Sequence, residues 1–319
     1  MDMSPLVSVV LSFRNEEDNI PELIARLQKV FKELDPLRYE LIFVNDASTD
    51  GSLELLLKHR DEDNNIKIIN MSRRFGVAPC VKAGFRYAKG DAVVYMDTDL
   101  QDPPELISSL VERWRSGADV VNTTRVKRKG ESAFRLLLIK LAYKIIRFLA
   151  DIDIPENTGD FKLLSRRVVD RLIDLNEYDP FMRGLVRWIG FKQVQVFYER
   201  QARFGGDTHF PLWSSSGVIL DFIRGITSFS IMPLYFSLLA GLVLIAGSLL
   251  HLVYIIVLKV LDMVLPSYAV VLTVNIFLGG VILFAIGILG MYMGKIHFEV
   301  KKRPAYIIDN TVGFEENAG

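Results

Sequence analysis

The 319-residue sequence lacks the usual signs of a disulfide-stapled protein, a nucleic-acid-binding protein or a dinucleotide enzyme. Its one cysteine, Cys80, excludes an intrachain disulfide and offers no metal-ligand spacing. Lys and Arg together number 38, as do Asp and Glu, so no overall basic field favours nucleic acid as a partner. The absence of a G-x-G-x-x-G fingerprint and of a Walker glycine loop disfavours a dinucleotide dehydrogenase and a P-loop enzyme.

Charged residues are also missing from two long stretches near the C-terminus. Residues 225–258 and 263–294 contain no Asp, Glu, Lys or Arg. Each stretch exceeds the length of about 20 apolar residues that crosses a hydrocarbon core. Buried helices of a soluble core are the alternative, but such helices normally keep a polar stripe. We therefore predict a membrane hairpin with spans at 228–258 and 268–294, a short non-cytoplasmic turn at 259–267 and a juxtamembrane segment at 212–227.

Basic residues beside the hairpin predict its orientation. Five of them flank its outer ends: Arg224, Lys295, Lys301, Lys302 and Arg303. The turn has only Lys259, which Asp262 offsets, so the positive-inside rule places both outer ends in the cytoplasm. The N-terminus has no basic n-region, and we predict no signal peptide. We expect a two-span cell-membrane protein with a cytoplasmic domain at 1–211, whose sheet is complete before the hairpin, and a cytoplasmic tail at 295–319.

The first two thirds of the chain alternate β-branched runs with helical patterns. Strands are predicted at 6–12, 39–45, 66–71, 92–97 and 118–124, and helices at 19–34, 52–60, 78–88 and 104–116. This alternation predicts an α/β fold with a mostly parallel sheet between two layers of helices. Ligands of such sheets bind beyond the carboxyl ends of the strands. Polar clusters follow the first four predicted strands there: RNEE, NDASTDGS, SRRFG and DTDLQD.

The fourth predicted strand ends in an acidic cluster. Asp97 and Asp99 lie two residues apart, so they share an orientation and can reach one hard cation. Mg²⁺ or Mn²⁺ would accept their oxygens and keep positions open for diphosphate oxygens. A D-x-D pattern alone is weak, because carboxylates also favour helix N-termini. We assign this helix-cap interpretation to Asp102 and Glu105, and the metal hypothesis to Asp97 and Asp99.

The chain contains an ordered set of motifs: LSFRNEEDNI, VNDASTDGS, MDTDLQDPPEL, TGDFKLLSRR, RGLVRWIGF, GITSFSIMPL and MGKIHFEVKKRPAYII. This set resembles the inverting, metal-dependent polyprenyl-phosphate glycosyltransferases. These enzymes are of the dolichol-phosphate mannose synthase type, and the two-span C-terminal hairpin is most similar to the bacterial bactoprenol glucosyltransferase branch. The likeness covers nearly the whole chain. It implies a GT-A type nucleotide-diphosphosugar transferase fold.

The resemblance also implies roles for individual residues. Asp97, Asp99 and Gln101 would serve the metal and the diphosphate, and Asp46 would contact the nucleotide base. The predicted nucleotide-sugar-binding set is Ser12, Arg14, Asn15, Glu16, Asp46, Ser48, Asp50, Gly76 and Asp97. Asp160, with Asp99, is the candidate catalytic residue. Departures from the family pattern at Ser12, Arg14, Arg74 and Val77 leave the donor base and sugar open.

The acceptor side is predicted to lie at the membrane surface. In residues 133–150, Lys140, Lys144 and Arg147 are spaced for one helical face and apolar residues for another, which predicts an in-plane interfacial amphipathic helix. Packing of this helix on the sheet is the alternative. Four arginines could hold an acceptor phosphate by charge-assisted hydrogen bonds: Arg125, Arg128, Arg135 and Arg203. The resemblance favours Arg125 and Arg203.

We therefore expect an enzyme that transfers one sugar, glucose from UDP-glucose, to a polyprenyl phosphate of the undecaprenyl or dolichyl type. Its expected cofactor is Mg²⁺ or Mn²⁺, and membrane lipids are expected partners; a homo-oligomer stays open. The alternatives are a GDP-mannose-using mannosyltransferase, a processive polysaccharide synthase and a non-catalytic sugar-nucleotide binding protein. Gly184 disfavours the synthase, because its Q-x-x-R-W motif has Gln there. Asp160 is either a proton acceptor or a group that orients the acceptor and stabilises positive charge.

Overall fold

The computed structural model describes residues 4–126, 158–175, 177–178, 180–199, 225–261 and 268–315. They belong to two compact units. The described part of the first unit runs to residue 199 and resumes at 303, and that of the second runs from 225 to 302. The first unit contains the candidate site, and the second contains the two long apolar helices.

The first unit is built on an eight-stranded mixed sheet in the order β7-β5-β6-β4-β1-β2-β3-β8. The strands are β1 Leu6–Phe13, β2 Arg38–Asn45, β3 Ile66–Met71, β4 Ala92–Asp97, β5 Val120–Arg125, β6 Thr158–Ser165, β7 Gln193–Tyr198 and β8 Ile308–Val312. β1 pairs in parallel with β2 and β4, β2 with β3, and β5 with β7. β6 runs antiparallel between β4 and β5, and β8 runs antiparallel to β3. The predicted α/β fold with a mostly parallel sheet is confirmed.

Six helices complete the described part of the first unit. They are α1 Ile20–Glu33, α2 Ser52–Glu62, α3 Val77–Tyr87, α4 Leu106–Arg115, α5 Arg166–Asp174 and α6 Met182–Trp188. Side chains of β1 alternate between two apolar environments, since Val9 and Leu11 belong to a core with Leu23 and Leu27 of α1. Val10 lies beside α3, where a Cβ on Gly84 would overlap it. The absence of a side chain at Gly84 therefore lets α3 lie close to the sheet.

The first five strands and four helices lie within two residues of their predicted bounds. The idea of a sheet complete before the hairpin, followed by a separate tail at 295–319, is wrong. The second long helix continues to Val300, and β8 then pairs with β3. The N–H of Ser72 donates to Ile307 O (3.0 Å), and the ring of Phe314 packs against Tyr87 with centroids 5.0 Å apart. This returning segment covers an edge of β3 that would otherwise be open to pairing with another chain.

The described part of the second unit contains two long helices, α7 Met232–Val260 and α8 Tyr268–Val300. Met232–Leu258 and Val274–Val300, each of 27 residues with mean hydropathy 2.5 and 2.3, are long and apolar enough to cross a membrane. Tyr292 of α8 donates its hydroxyl to Ser230 O (2.7 Å), and Lys295 Nζ donates to Ser228 Oγ (2.8 Å). These hydrogen bonds join the C-terminal part of α8 to the segment before α7.

Candidate active site

The carboxyl ends of β1, β2, β3 and β4 lie along one edge of the sheet. Ser12 is paired with Asp97, Phe13 with Asn45, and Asn45 with Asn70. The loops that follow these strands therefore meet, as the strand order of an open parallel sheet requires. The polar clusters that the sequence places after the first four strands are brought together at this edge.

The loops after β1 and β2 are joined by hydrogen bonds between predicted nucleotide-sugar-binding residues. The backbone N–H of Asn15 donates to Ser48 Oγ (3.1 Å), and Asn15 Oδ1 accepts from the N–H of Thr49 (2.8 Å). Asn15 and Ala47 both have a φ of 54°, in the left-handed region that asparagine tolerates and alanine disfavours. Backbone strain of this kind persists where the surrounding contacts enforce it, and it is concentrated at functional sites.

Asp46 connects the loop after β2 to the loop after β3. Its two carboxylate oxygens accept hydrogen bonds from the backbone N–H groups of Phe75 (2.6 Å) and Gly76 (3.0 Å). Gly76 has a φ of 94°, a conformation that favours glycine. Arg14 donates to the carbonyl oxygens of Asp46 (2.9 Å) and Ala47 (3.0 Å). Because a carboxylate has about four lone-pair positions, Asp46 keeps acceptor capacity for a nucleotide base.

Other members of the predicted nucleotide-sugar set have structural partners at the same edge. Asp50 accepts from Ser52 Oγ (2.8 Å) at the start of α2, and the buried Glu16 accepts from Asn19 Nδ2 (2.5 Å). Ser12 is buried in β1 beside Asp97. The structure thus brings the predicted residues together, but in these contacts Asp50 and Glu16 organise the loops.

The predicted metal residues lie at the end of β4. Burial raises the pKa of Asp97 to about 7, and the nearby carboxylates of Asp160, Asp99 and Asp102 act in the same direction. Asp99 Oδ1 accepts from the backbone N–H of Gln101 (3.1 Å), and Leu100 between them has a φ of 56°. The strand end therefore concentrates negative charge that the protein side chains balance incompletely.

A divalent cation fits this arrangement. The described residues contain no group of three or more His, Cys, Asp or Glu side chains arranged to hold a metal. Mg²⁺ in nucleotide enzymes is typically bound by one or two carboxylates together with substrate phosphates rather than by a protein cage. Asp97 and Asp99 supply such a pair, and a cation there would offset the burial and the carboxylate repulsion that raise the pKa of Asp97.

Asp160 lies on β6, which is antiparallel to β4. The register pairs Tyr95 with Lys162, so Asp160 follows toward the end of β4 that carries Asp97. Arg183 of α6 binds both carboxylate oxygens of Asp160, with Nε 2.8 Å from Oδ1. Burial opposes ionisation of Asp160, but Arg183 holds its pKa well below the ordinary value. Burial also lowers the pKa of Lys162 to about 8.

Sequence analysis missed Arg183 and Lys162 as parts of the site. Arg183 stands in the motif RGLVRWIGF, which carried the resemblance without a role for this arginine. Lys162 is 2% exposed on a strand. A lysine two residues after Asp160, in a run that is otherwise apolar, was the available signal, because charges are rarely buried without a partner.

The helix-cap interpretation is wrong for Asp102 and does not describe the side-chain contacts of Glu105. α4 begins at Leu106, and Asp102 is 1% exposed. Its carboxylate accepts a hydrogen bond from the hydroxyl of Tyr198, and its Oδ2 lies 3.5 Å from Arg125 Nη2. Glu105 occupies the N-cap position without a side-chain capping bond, and it binds Arg26 instead (2.6 and 2.8 Å).

Of the predicted acceptor arginines, the structure describes Arg125. Its Nε donates to Tyr198 Oη (3.1 Å), and Asp102 holds the other side of the same guanidinium. Burial and the Asp102 carboxylate raise the pKa of Tyr198 to about 12, so this hydroxyl remains a donor. The remaining predictions on this side lie outside the described residues: Arg128, Arg135, Arg203 and the helix at 133–150.

Comparisons with known proteins identify the family. Residues 8–173 match the family model described as "Glycosyl transferase family 2". The chain belongs to this family. The "Uncharacterized glycosyltransferase YkcC" of Bacillus subtilis (strain 168) is 40% identical over 309 residues, which cover 97% of this chain and 94% of that protein.

This family 2 member is also similar to a "Bactoprenol glucosyl transferase" of Shigella phage SfII. The identity is 37% over 303 residues, which cover 95% of this chain and 97% of the phage protein. The predicted resemblance to the bactoprenol branch is thereby confirmed. Among solved structures, the glucosyl-3-phosphoglycerate synthase of Mycobacterium tuberculosis with Mn²⁺, UDP-glucose and phosphoglyceric acid aligns with a TM-score of 0.49 at 21% identity, covering 70% of this chain and 79% of that chain.

Proposed function

We propose that this glycosyltransferase moves one glucose from UDP-glucose to a polyprenyl phosphate, with inversion, at the cytoplasmic face of a membrane. The observation that carries the proposal is that one chain combines an acidic strand end, the partly buried Arg125 beside it and two apolar helices of membrane length. The relative from Shigella phage SfII that is named for bactoprenol glucosyl transfer aligns over 95% of this chain, and neither 27-residue apolar helix fits within the unaligned remainder. This likeness supports a lipid-linked acceptor.

The donor diphosphate would be held at the end of β4. Asp97 and Asp99 are the residues that would bind Mg²⁺ or Mn²⁺, which supplies neutralisation of charge on the leaving diphosphate. Asp46, Asn15 and Ser48 lie on the neighbouring loops and are available to the nucleotide. Asp46 would contact the base, because its carboxylate is fixed by two backbone N–H groups and retains acceptor capacity.

The acceptor phosphate would meet Arg125. This guanidinium is oriented by Tyr198 and Asp102, so its remaining N–H groups are presented with little loss of side-chain entropy on binding. A phosphate monoester has a second pKa near 6, so near neutral pH it attacks without needing a strong general base. Asp160, kept ionised by Arg183, would orient the reactants and stabilise positive charge at the anomeric carbon.

The test is a donor screen with the full-length protein, a polyprenyl phosphate and Mg²⁺ or Mn²⁺. We expect labelled glycolipid from UDP-glucose. EDTA and Asp99→Asn should each lower the rate at least about a hundredfold, because charge on the leaving group is no longer neutralised. Asp61→Asn, the same change on the exposed face of α2, is the matched control and should leave the rate unchanged.

The screen separates the proposal from its alternatives. Product from GDP-mannose alone would replace the donor assignment with a mannosyltransferase. Polymer formation would indicate a processive synthase. Binding of a nucleotide sugar without transfer to lipid from any donor would refute catalysis and leave a binding protein.

A further inference from the structure

Three asparagines on the neighbouring strands β2, β3 and β8 form one row of hydrogen-bonded side chains. Asn45 of β2 is paired in register with Asn70 of β3, and Asn70 is paired with Asn310 of β8. Asn45 Nδ2 donates to Asn70 Oδ1 (3.0 Å), and Asn70 Nδ2 donates to Asn310 Oδ1 (2.7 Å). We call Asn45, Asn70 and Asn310 the asparagine row.

The asparagine row ends at the candidate nucleotide site. Asn45 Oδ1 accepts from the backbone N–H of Ser48 (2.9 Å), and Ser48 Oγ accepts from the backbone N–H of Asn15 (3.1 Å). Ser48 and Asn15 lie in the two loops predicted to bind the nucleotide sugar. The conformation of the loop after β2 therefore depends on the amide of Asn45, which depends in turn on its neighbours in the row.

All hydrogen bonds in the asparagine row point the same way. Starting at Ser48, each group donates to the next group in the direction of β8. The last amide nitrogen, Asn310 Nδ2, donates to the Asp309 carboxylate (2.8 Å). Because the Asp309 carboxylate accepts from the side-chain nitrogen of Asn310, the side-chain oxygen Oδ1 of Asn310 faces Asn70. Hydrogen bonds aligned in one direction polarise and strengthen one another. Asn45 and Asn70 are buried, and buried amides require such partners.

We propose that Asn310 is a positioning residue for the nucleotide part of the donor, acting through Asn70 and Asn45 on the backbone of Ser48. The inference rests on the proposed function, since it assumes that the loop after β2 binds a nucleotide. It gives the segment after the second apolar helix a role in donor binding, although Asn310 is separated from Asn70 by 240 positions in the sequence.

The full-length protein tests this through UDP binding in the presence of Mg²⁺ and through steady-state kinetics. Asn310→Ala removes the acceptor for Asn70 and should weaken UDP binding about three- to tenfold, because the loop after β2 would adopt its binding-competent conformation less often by a factor of about one net hydrogen bond. The KM for the UDP-sugar should rise by a similar factor while kcat stays within about twofold. A residue that serves folding alone would not produce this split.

Two variants on the same strand provide controls. Asn310→Asp keeps an oxygen that accepts from Asn70, and its repulsion from Asp309 is screened because both side chains are exposed, so UDP affinity should remain within about twofold of wild type. Thr311→Ala changes the next exposed residue of β8, whose side chain points to the opposite face, and should have no effect on UDP affinity. The melting temperatures of all three variants should be measured to compare folding.

A double-mutant cycle tests transmission through the row. Adding Asn310→Ala to Asn70→Ala should weaken UDP binding no further, because the row is already interrupted. Additive effects of the two substitutions would overturn the inference. So would unchanged UDP affinity in Asn310→Ala, or equal losses in Asn310→Ala and Thr311→Ala. If wild-type protein binds neither UDP nor GDP, both the proposed function and the inference are refuted. If it binds one of them, the variants test the inference alone.

Discussion

At the residue scale, Asp97 and Asp160 lie near each other on neighbouring strands, yet their surroundings shift their pKa values in opposite directions. Burial among other carboxylates raises that of Asp97, whereas the bidentate contact with Arg183 holds that of Asp160 low. Divergent pKa values in a pair of carboxylates commonly separate their chemical roles. A carboxylate with a depressed pKa is a weak proton acceptor at neutral pH, so Asp160 is better suited to electrostatic stabilisation.

Asp160→Asn should lower the transfer rate roughly a hundredfold, the typical effect of removing one oriented electrostatic group. At saturating Mg²⁺ the deficit should be the same at pH 6.5 and 7.5, because in wild type Asp160 is already ionised at both and bound metal would keep Asp97 ionised as well. Rates are compared below pH 8, since Lys162 titrates near that value. Asp170→Asn, on the exposed part of α5, should leave the rate unchanged.

A deficit in Asp160→Asn that shrinks steadily as the pH rises would contradict this assignment. In that case hydroxide or the phosphate dianion would be replacing a proton acceptor. Full activity of the variant would make the residue structural.

The site around Arg125 shows why part of the residue-scale prediction failed. Asp102 precedes a helix by a few residues, and the local sequence alone favours a cap. Its partners, Arg125 and Tyr198, are 23 and 96 positions away. The contact of Asp102 with these two residues depends on the pairing of β5 with β7, which no local sequence pattern indicates.

At the element scale, β2 carries a buried carboxylate near its amino end, at the end of the strand that lies away from the candidate site. Glu40 is 3% exposed; its Oε1 accepts from Ser8 Oγ (2.5 Å) and the N–H of Lys89 (2.7 Å), and its Oε2 accepts from Lys67 Nζ (2.6 Å). Burial opposes ionisation of this carboxyl, but Lys67, Ser8 and the backbone hydrogen bond lower its pKa on balance. Ionised Glu40 therefore ties together β1, β2, β3 and the loop before β4.

Glu40→Gln should lower the free energy of unfolding of the first unit by about 2 kcal/mol at pH 7, because hydrogen bonds to a buried charge are lost. Since folding lowers the pKa of Glu40, its stabilisation is complete above about pH 4.5 and is lost as the pH falls through the folded-state value. The gap in melting temperature between variant and wild type should therefore be constant from pH 7 to 5 and narrow below that. Glu54→Gln, which breaks an exposed pair with Lys58, is the control and should have little effect. Equal effects of the two substitutions would contradict the role of Glu40.

The strands that sequence analysis missed explain the limits of local patterns. The first five strands are rich in apolar and β-branched residues, which predict largely buried strands directly. β6 contains Asp160 and Lys162. Arg183 favours the charge of Asp160, and Asp160 in turn favours the charge of Lys162, which Arg183 opposes. β8 has only five residues, Ile308–Val312, and is mostly exposed, as is common for short edge strands. Its identity as a strand depends on pairing with β3, far away in the sequence.

At the scale of the whole molecule, the sheet constrains the path of the chain through the apolar helices. β7 precedes α7 and α8 in the sequence, β8 follows them, and both strands belong to one sheet. If α7 and α8 span a membrane, the chain must therefore return to the side from which it left. Two spans satisfy this requirement and one would not. By the positive-inside rule, the basic residues beside the two apolar helices predict that this side is the cytoplasm.

Cysteine labelling of intact cells tests this topology. The native background is low, because Cys80 is buried in α3 and burial raises the pKa of its thiol well above the ordinary value, so little reactive thiolate forms. Ser267→Cys, in the predicted non-cytoplasmic turn, should react with a membrane-impermeant maleimide added outside. Thr311→Cys, on the exposed face of β8, should react only after the membrane is permeabilised. Both variants should keep Cys80, and the unsubstituted protein measures its residual reaction. Reaction of both positions from the outside of sealed cells would refute the arrangement, since a strand of the sheet would then lie on the same side as the turn.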